Sequence, residues 1–226
     1  MEKEQTAVRR VMIATPCYDG KINAYHANSL AESCKIGLAN GINIIPFYLC
    51  FDALIQRARN DIVKVAIESE VDDLIFIDAD QDWNPLDLFK LLAHDVSVVA
   101  APVVKKHDIE QYNVKLLGDF IVQDNGLVEV DGVGAGFMRI RKDALIKVYE
   151  ASDQYYEIGN PNTGRMVFEV KTIDNQLYSE DIIFCNKLIE LNENVYIDPT
   201  INIGHSGEKR WVGNFYNWIK LVKPQN

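Results

Sequence analysis

Nothing in this chain pairs cysteines for metal or redox work. Cys17, Cys34, Cys50 and Cys185 show no C-x-x-C spacing and sit in or beside apolar segments. They read as structural thiols of a reducing compartment rather than as soft-metal ligands. Histidine is scarce as well: His26, His94, His107 and His205 are scattered, without zinc spacing. No apolar run approaches the length of a bilayer span, and Met1-Glu2-Lys3-Glu4-Gln5 lacks a secretory signal. A cytoplasmic protein without a transmembrane segment is expected. Basic charge is in deficit, and the net charge of −10 argues against broad binding to nucleic acid or anionic membrane. Only Lys105-Lys106-His107 and Lys209-Arg210 offer local basic patches. A dinucleotide fingerprint is missing from its proper place. Gly132-Val133-Gly134-Ala135-Gly136 precedes a strand, whereas a Rossmann glycine run follows the first strand and opens a helix. These glycines read instead as close approach of backbone to a ligand or a neighbouring strand.

What is present is enough for a sizeable core: 226 residues, 48% hydrophobic, without repeat, low-complexity tract or linker. Strand-like and helix-like segments alternate through the first half. Val11–Ala14 reads as a buried strand, followed by the loop Thr15-Pro16-Cys17-Tyr18-Asp19-Gly20. A helix over Tyr25–Ala39 stops at Asn40-Gly41. Ile42–Cys50 is strand-like, with Pro46 marking an edge or a bulge. Ala53–Ser69 has helical periodicity, Leu74–Ile77 is a third strand, Asn84-Pro85 caps a helix, and Val96–Val104 is a fourth strand. This order predicts a mainly parallel α/β sheet with helices on both faces and ligands beyond the carboxyl ends of the strands.

The second half is less regular. Ile121–Val130 predicts a hairpin turning at Asp124-Asn125-Gly126, then come a strand at Phe137–Ile140 and a helix over Lys142–Ala151. Ser152–Gln176, centred on Asn160-Pro161-Asn162-Thr163-Gly164, is either a loop over a site or a surface excursion. Ser179 begins a helix to about Leu191, and a short strand over Val195–Asp198 precedes the turn Gly204-His205-Ser206-Gly207.

The chemistry centres on Leu74-Ile75-Phe76-Ile77-Asp78-Ala79-Asp80, an apolar run ending in two carboxylates. Side chains at i and i+2 of an extended segment point the same way, so Asp78 and Asp80 emerge together. Like charges so close repel unless a cation or a proton sits between them, and hard oxygen ligands suit magnesium or manganese bridging a diphosphate. Glu180 and Asp181 either complement a helix dipole or supply a carboxylate base to the same cleft. His205 is a structural turn residue or a nitrogen ligand completing the metal site. Arg57 and Arg59 diverge by nearly 200° on their helix and cannot share one ligand. Arg57 or Asn60 can reach a phosphate or a base unless that face is simply solvated. Asp52 can accept hydrogen bonds from a uracil or a ribose.

Taken in order, these motifs resemble the GT-A glycosyltransferase superfamily: the Thr15–Asp19 loop, Arg57–Asn60, the D-x-D at Asp78–Asp80, Gly134–Phe137, Ser179–Asp181 and Gly204-His205. The resemblance runs from about Val11 to Gly207. It is strongest to compact bacterial and bacteriophage members related to the inverting family that includes cellulose and chitin synthases. It implies a GT-A (Rossmann-like), mostly parallel sheet flanked by helices, with a smaller antiparallel hairpin region in the C-terminal half. One domain over 1–226 would have a nucleotide-binding half at about 8–104 and an acceptor and catalytic half at about 105–226.

The resemblance further implies Mn2+ or Mg2+ on Asp78, Asp80 and His205, with Asp80 the more direct ligand. Asp181 becomes the base of a single displacement with inversion, supported by Glu180. Thr15, Pro16, Tyr18, Asp52, Arg57, Asn60, Ala79, Gly134, Gly136 and Lys209 would surround a nucleotide-sugar donor, UDP-linked, with Lys209 on the leaving diphosphate. The acceptor would be a surface glycan, a protein side chain or, given the phage-type likeness, a hydroxymethylated DNA base. The synthases' C-terminal acceptor-binding and membrane segments are missing, so polymerisation is not expected. Two other classes fit the same residues: nucleotidyl transfer to a sugar phosphate, and a non-catalytic module that binds nucleotide sugars.

Overall fold

The computed structural model describes residues 8–156, 158–159 and 163–223; the Asn160-Pro161-Asn162 centre of the predicted polar excursion lies outside them. In chain order come β1 (Arg9–Cys17), α1 (Ala24–Ala39), β2 (Ile42–Cys50), α2 (Ile55–Glu68), β3 (Asp73–Ile77), β4 (Gln81–Asp82), α3 (Pro85–Ala93) and β5 (Val98–Ala100). The second half adds β6 (Val114–Leu116), β7 (Val128–Val133), β8 (Phe137–Arg141), α4 (Lys142–Ala151), β9 (Gln154–Tyr156) and β10 (Thr163–Arg165). It closes with β11 (Lys171–Ile173), β12 (Gln176–Tyr178), α5 (Glu180–Glu190), β13 (Val195–Ile197), β14 (Gly204–Ser206), β15 (Arg210–Val212) and α6 (Phe215–Val222).

One sheet takes strands from both halves of the chain, in the order β2-β1-β3-β8-β5-β13-β7-β6. Strands β2, β1 and β3 run parallel, as the alternating pattern predicts. Beyond them the sheet is mixed, because β8 inserts antiparallel between β3 and β5. Pro46 is tolerated because β2 is an edge strand and can leave an N–H position empty on its open side. Every residue of Leu74–Ile77 is buried, and alternate side chains enter opposite layers. Leu74 and Phe76 join the cluster under α2, α4 and α5, while Ile75 and Ile77 join the one under α1 and α3. Asn84 caps α3 through the Leu86 N–H, with Pro85 at the first helical position.

Several local expectations are corrected. The predicted loop at Thr15 is still strand, since β1 continues to Cys17 beside β2. The turn before Leu127 forms, closed by Gln123 and Gly126, yet β7 pairs with Val114–Leu116 rather than with Ile121 onward. The Gly204–Gly207 turn is largely strand: β14 lies between β15 and β4, so His205 stands opposite Gln81. The polar excursion holds two small antiparallel pairs, β9 with β10 and β11 with β12. Helix α6 lies beyond every predicted element. It packs Phe215 and Ile219 inward, at the i, i+4 spacing of a helix face.

Candidate active site

A cleft of about 760 Å3 opens beyond the carboxyl ends of β1 and β3, where a doubly wound sheet places its ligands. Its lining brings together Pro16, Tyr18, Asp78, Ala79, Asp80, Gly134, Gly136, Glu180, Asp181 and His205 from the predicted set. Other predicted residues lie elsewhere. Thr15 is buried inside β1, its hydroxyl 3.5 Å from His26 Nε2. Asn60 is buried too, its side-chain amide exchanging hydrogen bonds with the Phe168 backbone, so it is spent on tertiary structure. Asp52 and Arg57 hold each other in a two-pronged ion pair at 2.8 Å and do not line the cleft. Lys209 pairs with Asp108 instead of facing the cleft.

The D-x-D backbone is held by three separate segments: the start of α1, the segment before β8, and β14. Asp78 N–H donates to Gly136 O at 3.0 Å, and the Asp78 carbonyl lies 3.2 Å from His26 Nδ1. Asn23 N–H donates to Ala79 O, and Ser206 N–H donates to Asp80 O, each at 2.8 Å. Such bracing pre-organises the two carboxylates before any ligand arrives. His26 is fully buried in this brace, and burial lowers its basicity despite the nearby carbonyls and carboxylates. Gly136 keeps these side chains in place: a Cβ there would lie 2.3 Å from Gln81 Nε2 and 2.8 Å from Asp78 Oδ2 and would push their ends aside. Its absent side chain is the room that the D-x-D carboxylate occupies.

Asp80 and His205 form the first chemically telling pair. His205 Nδ1 lies 2.7 Å from Val104 O, and a carbonyl can only accept, so Nδ1 carries the proton. Nε2 therefore faces Asp80 Oδ1, 3.4 Å away, with either a lone pair or a second proton. A neutral ring would aim that lone pair at the carboxylate and leave a place for a cation, whereas a protonated ring would make the ion pair itself. A histidine whose other ring nitrogen donates to a backbone carbonyl is the usual form of a metal ligand. Burial alone would raise the Asp80 pKa, but hydrogen bonds and charge from His205 and Lys106 outweigh it and hold it down at about 2. The donor set of one carboxylate oxygen and one imidazole nitrogen fits manganese or magnesium completed by water and phosphate oxygens. Asp78 is engaged differently. Its Oδ1 accepts from Arg59 Nη2 at 3.2 Å and its Oδ2 from Gln81 at 3.4 Å. Among the described residues no three His, Cys, Asp or Glu side chains converge on one metal position.

The second pair of acids sits at the start of α5. Asp181 Oδ1 accepts from the Ser179 hydroxyl and, at 2.8 Å, from Ile182 N–H. Ser179 thus holds the acid instead of capping the helix. Asp181 Oδ2 accepts from Asn113 at 3.1 Å and lies 3.4 Å from where a Cβ on Gly134 would be. The carboxylate is 7% exposed, is oriented from three sides and lines the cleft.

Sequence reasoning missed the residue that joins the two pairs. Arg59 is 4% exposed and forks between Glu180 Oε1 at 2.6 Å and Asp78 Oδ1 at 3.2 Å. Its guanidinium carbon lies 6.0 and 5.7 Å from the rings of Phe76 and Phe168. The predicted divergence of Arg57 and Arg59 holds, but Arg59 is the one that faces the cleft. The signal was its position on the buried arc of α2 with Ile62, Val63 and Ala66. Asn113 and His26 complete the missed set, whereas Lys106, read as part of a basic patch, does line the cleft. Neither of the two missed residues carries a local motif for this site.

No family model matches the sequence, and no curated protein matches it. Among solved structures, A197 from STIV is similar with a TM-score of 0.56 and 16% identity, over 90% of this chain and 88% of that one. TarS of S. aureus follows with a TM-score of 0.47 and 15% identity, covering 84% of this chain and 57% of that one. GalNAc-T7, solved with UDP, GalNAc and Mn2+, gives a TM-score of 0.46 and 10% identity over 89% of this chain. The chain spans 44% of GalNAc-T7. The likeness to A197 is one of fold over nearly the whole of both chains. The chain shares a mixed α/β fold with A197.

Proposed function

We propose that this chain is a metal-dependent glycosyltransferase that moves a sugar from a nucleotide-sugar donor, UDP-linked, to an acceptor hydroxyl with inversion. The observation carrying the reading is one cleft holding a carboxylate–imidazole pair able to take a cation, together with a second, oriented carboxylate. The D-x-D lies where a parallel sheet binds nucleotides, between Pro16 and Tyr18 on one side and Gly136 on the other. Asp80 and His205 would hold the Mn2+ or Mg2+, which when bound supplies positive charge to the donor diphosphate. Arg59 pairs with both Asp78 and Glu180. Asp181, fixed by Ser179, Ile182 and Asn113, takes the acceptor proton as the hydroxyl attacks the anomeric carbon from the face opposite the diphosphate. GalNAc-T7, solved with UDP and Mn2+, is a precedent for that donor group and ion on a similar fold.

The ion pairs weigh on the choice of acceptor. Lys106 is spent on Asp80, Lys209 on Asp108 and Arg210 on Asp82, so most of the basic patch is neutralised within the chain. An uncharged hydroxyl, such as that of a glycan, is favoured over a polyanionic DNA duplex. The experiment is a donor screen for nucleotide release with Mn2+ present, with acceptor and product stereochemistry read by NMR. Mn2+-dependent UDP release, abolished in Asp80→Ala and reduced about 10²- to 10⁴-fold in Asp181→Ala, is expected. Release of pyrophosphate from nucleoside triphosphates instead would establish nucleotidyl transfer. Retention at the anomeric carbon would remove Asp181 as the base.

A further inference from the structure

Lys106 has a place in the cleft that the donor-and-base reading leaves unused. Its ammonium is bonded to Asp80 Oδ2, the oxygen that does not face His205. The stem is laid over the β14–β15 turn: a Cβ on Gly207 would lie 3.3 and 3.5 Å from Lys106 Cδ and Cε. The loop carrying it is tied at both sides, by Lys105 N–H to Gln111 O at 2.8 Å and by the Asp108–Lys209 pair. This cation is therefore built into the site rather than left to wander on the surface.

We infer that Lys106 is a tethered positioning cation that shares the Asp80 carboxylate with the divalent ion, keeping Oδ1 for the ion and weakening the ion's hold until a diphosphate arrives. The inference rests on the metal-site reading above. Two consequences follow from elementary electrostatics. With Oδ2 taken, Asp80 can offer an ion only one oxygen, alongside His205 Nε2. A divalent ion and an ammonium sharing one carboxylate would repel enough, after screening by salt, to cost roughly five- to tenfold in affinity. A bound diphosphate reverses that balance, because its negative charge is attracted to both cations.

The test is Mn2+ binding followed by the loss of the free-ion electron paramagnetic resonance signal, with the metal alone and then with UDP. Lys106→Met should bind Mn2+ five- to tenfold more tightly than the unaltered protein when UDP is absent. With Mn2+ saturating, it should bind UDP more weakly. Lys106→Arg, which keeps the charge, should restore both values. Lys106→Gln repeats the neutral test with a polar stem at this half-exposed position. Equal or weaker Mn2+ binding by both neutral variants without UDP, including no binding by any of the proteins, overturns the inference. Failure of the unaltered protein and every variant to take up Mn2+ with UDP present overturns the metal-dependent reading itself.

Discussion

Replacing Arg59 with Met tests whether the two acidic motifs depend on one guanidinium. The substitution keeps an apolar stem against Phe76 and Phe168 but removes both forks, to Glu180 at 2.6 Å and to Asp78 at 3.2 Å. Breaking a buried ion pair from one side costs about 3–5 kcal/mol, because the remaining charge is stranded. The Asp78 side chain is 33% exposed and Glu180 14%, so water recovers part of that cost. A loss of about 2–4 kcal/mol is the working figure. With a urea m-value of about 3 kcal/mol/M for a chain of this size, the unfolding midpoint should fall by about 1 M. Urea titration followed by circular dichroism measures it. Adding Glu180→Gln to Arg59→Met should recover part of the loss, since the stranded charge goes with it. Arg59→Lys should recover little, because one ammonium lacks the planar fork that serves two carboxylates. A midpoint shift below about 0.3 M for Arg59→Met, with no recovery in the double variant, would refute the reasoning.

Two further outcomes follow from groups away from the cleft. Asp198 is 1% exposed, and burial would raise its pKa, but hydrogen bonds from Thr200, His94 and Lys90 outweigh burial and leave it lowered. A folded-state pKa below the unfolded one stabilises the fold above the unfolded pKa of about 3.9 and is lost as pH falls through the folded value. Asp198→Asn should therefore lose stability at pH 7 and unfold with a shallower acid dependence below about pH 4, measured by denaturation at stepped pH. Burial pushes the Cys17 thiol up to about 11 and the Cys185 thiol up to about 12, whereas Cys50 is exposed. A disulfide reagent at pH 8 should label Cys50 first and reach Cys17 and Cys185 only on unfolding. Native labelling of Cys185 as fast as Cys50 would contradict that burial.

How much of this was legible in the sequence depended on range. The D-x-D was legible because β3 is buried on both faces, so its run is apolar at every position and its end is abrupt. Helix α3 was legible because Asn84, Pro85 and Asp87 carry their signals within one turn. The antiparallel insertion of β8 was not, since strand order is decided by contacts far apart in the chain. Residues Gly204–Ser206 looked like a turn for the same reason, because their strand character comes from pairing with Gln81–Asp82. Arg59 was hidden by a sound default: arginine on a helix is usually solvated, and only two distant acids make its burial tolerable. Asn60 erred the other way, a polar side chain offered to a ligand but consumed by the Phe168 backbone.

The inserted strand explains why acids so crowded can share one cleft. Placing β8 beside β3 puts Gly136 at the mouth of the D-x-D, where its carbonyl takes the Asp78 N–H and its missing side chain leaves room for the carboxylate. The turn before β8 also brings Gly134 against Asp181, so one glycine-flanked segment touches both acidic motifs. Charge repulsion among Asp78, Asp80, Glu180 and Asp181 is then divided rather than summed. Arg59 balances Asp78 and Glu180, Lys106 and His205 balance Asp80, and neutral donors from Ser179, Ile182 and Asn113 hold Asp181. Among these four acids, only Asp181 has no cation among its described side-chain partners. That asymmetry is what the proposed roles require: Asp181 as the base, and Asp80 as the carboxylate that would hold the divalent ion.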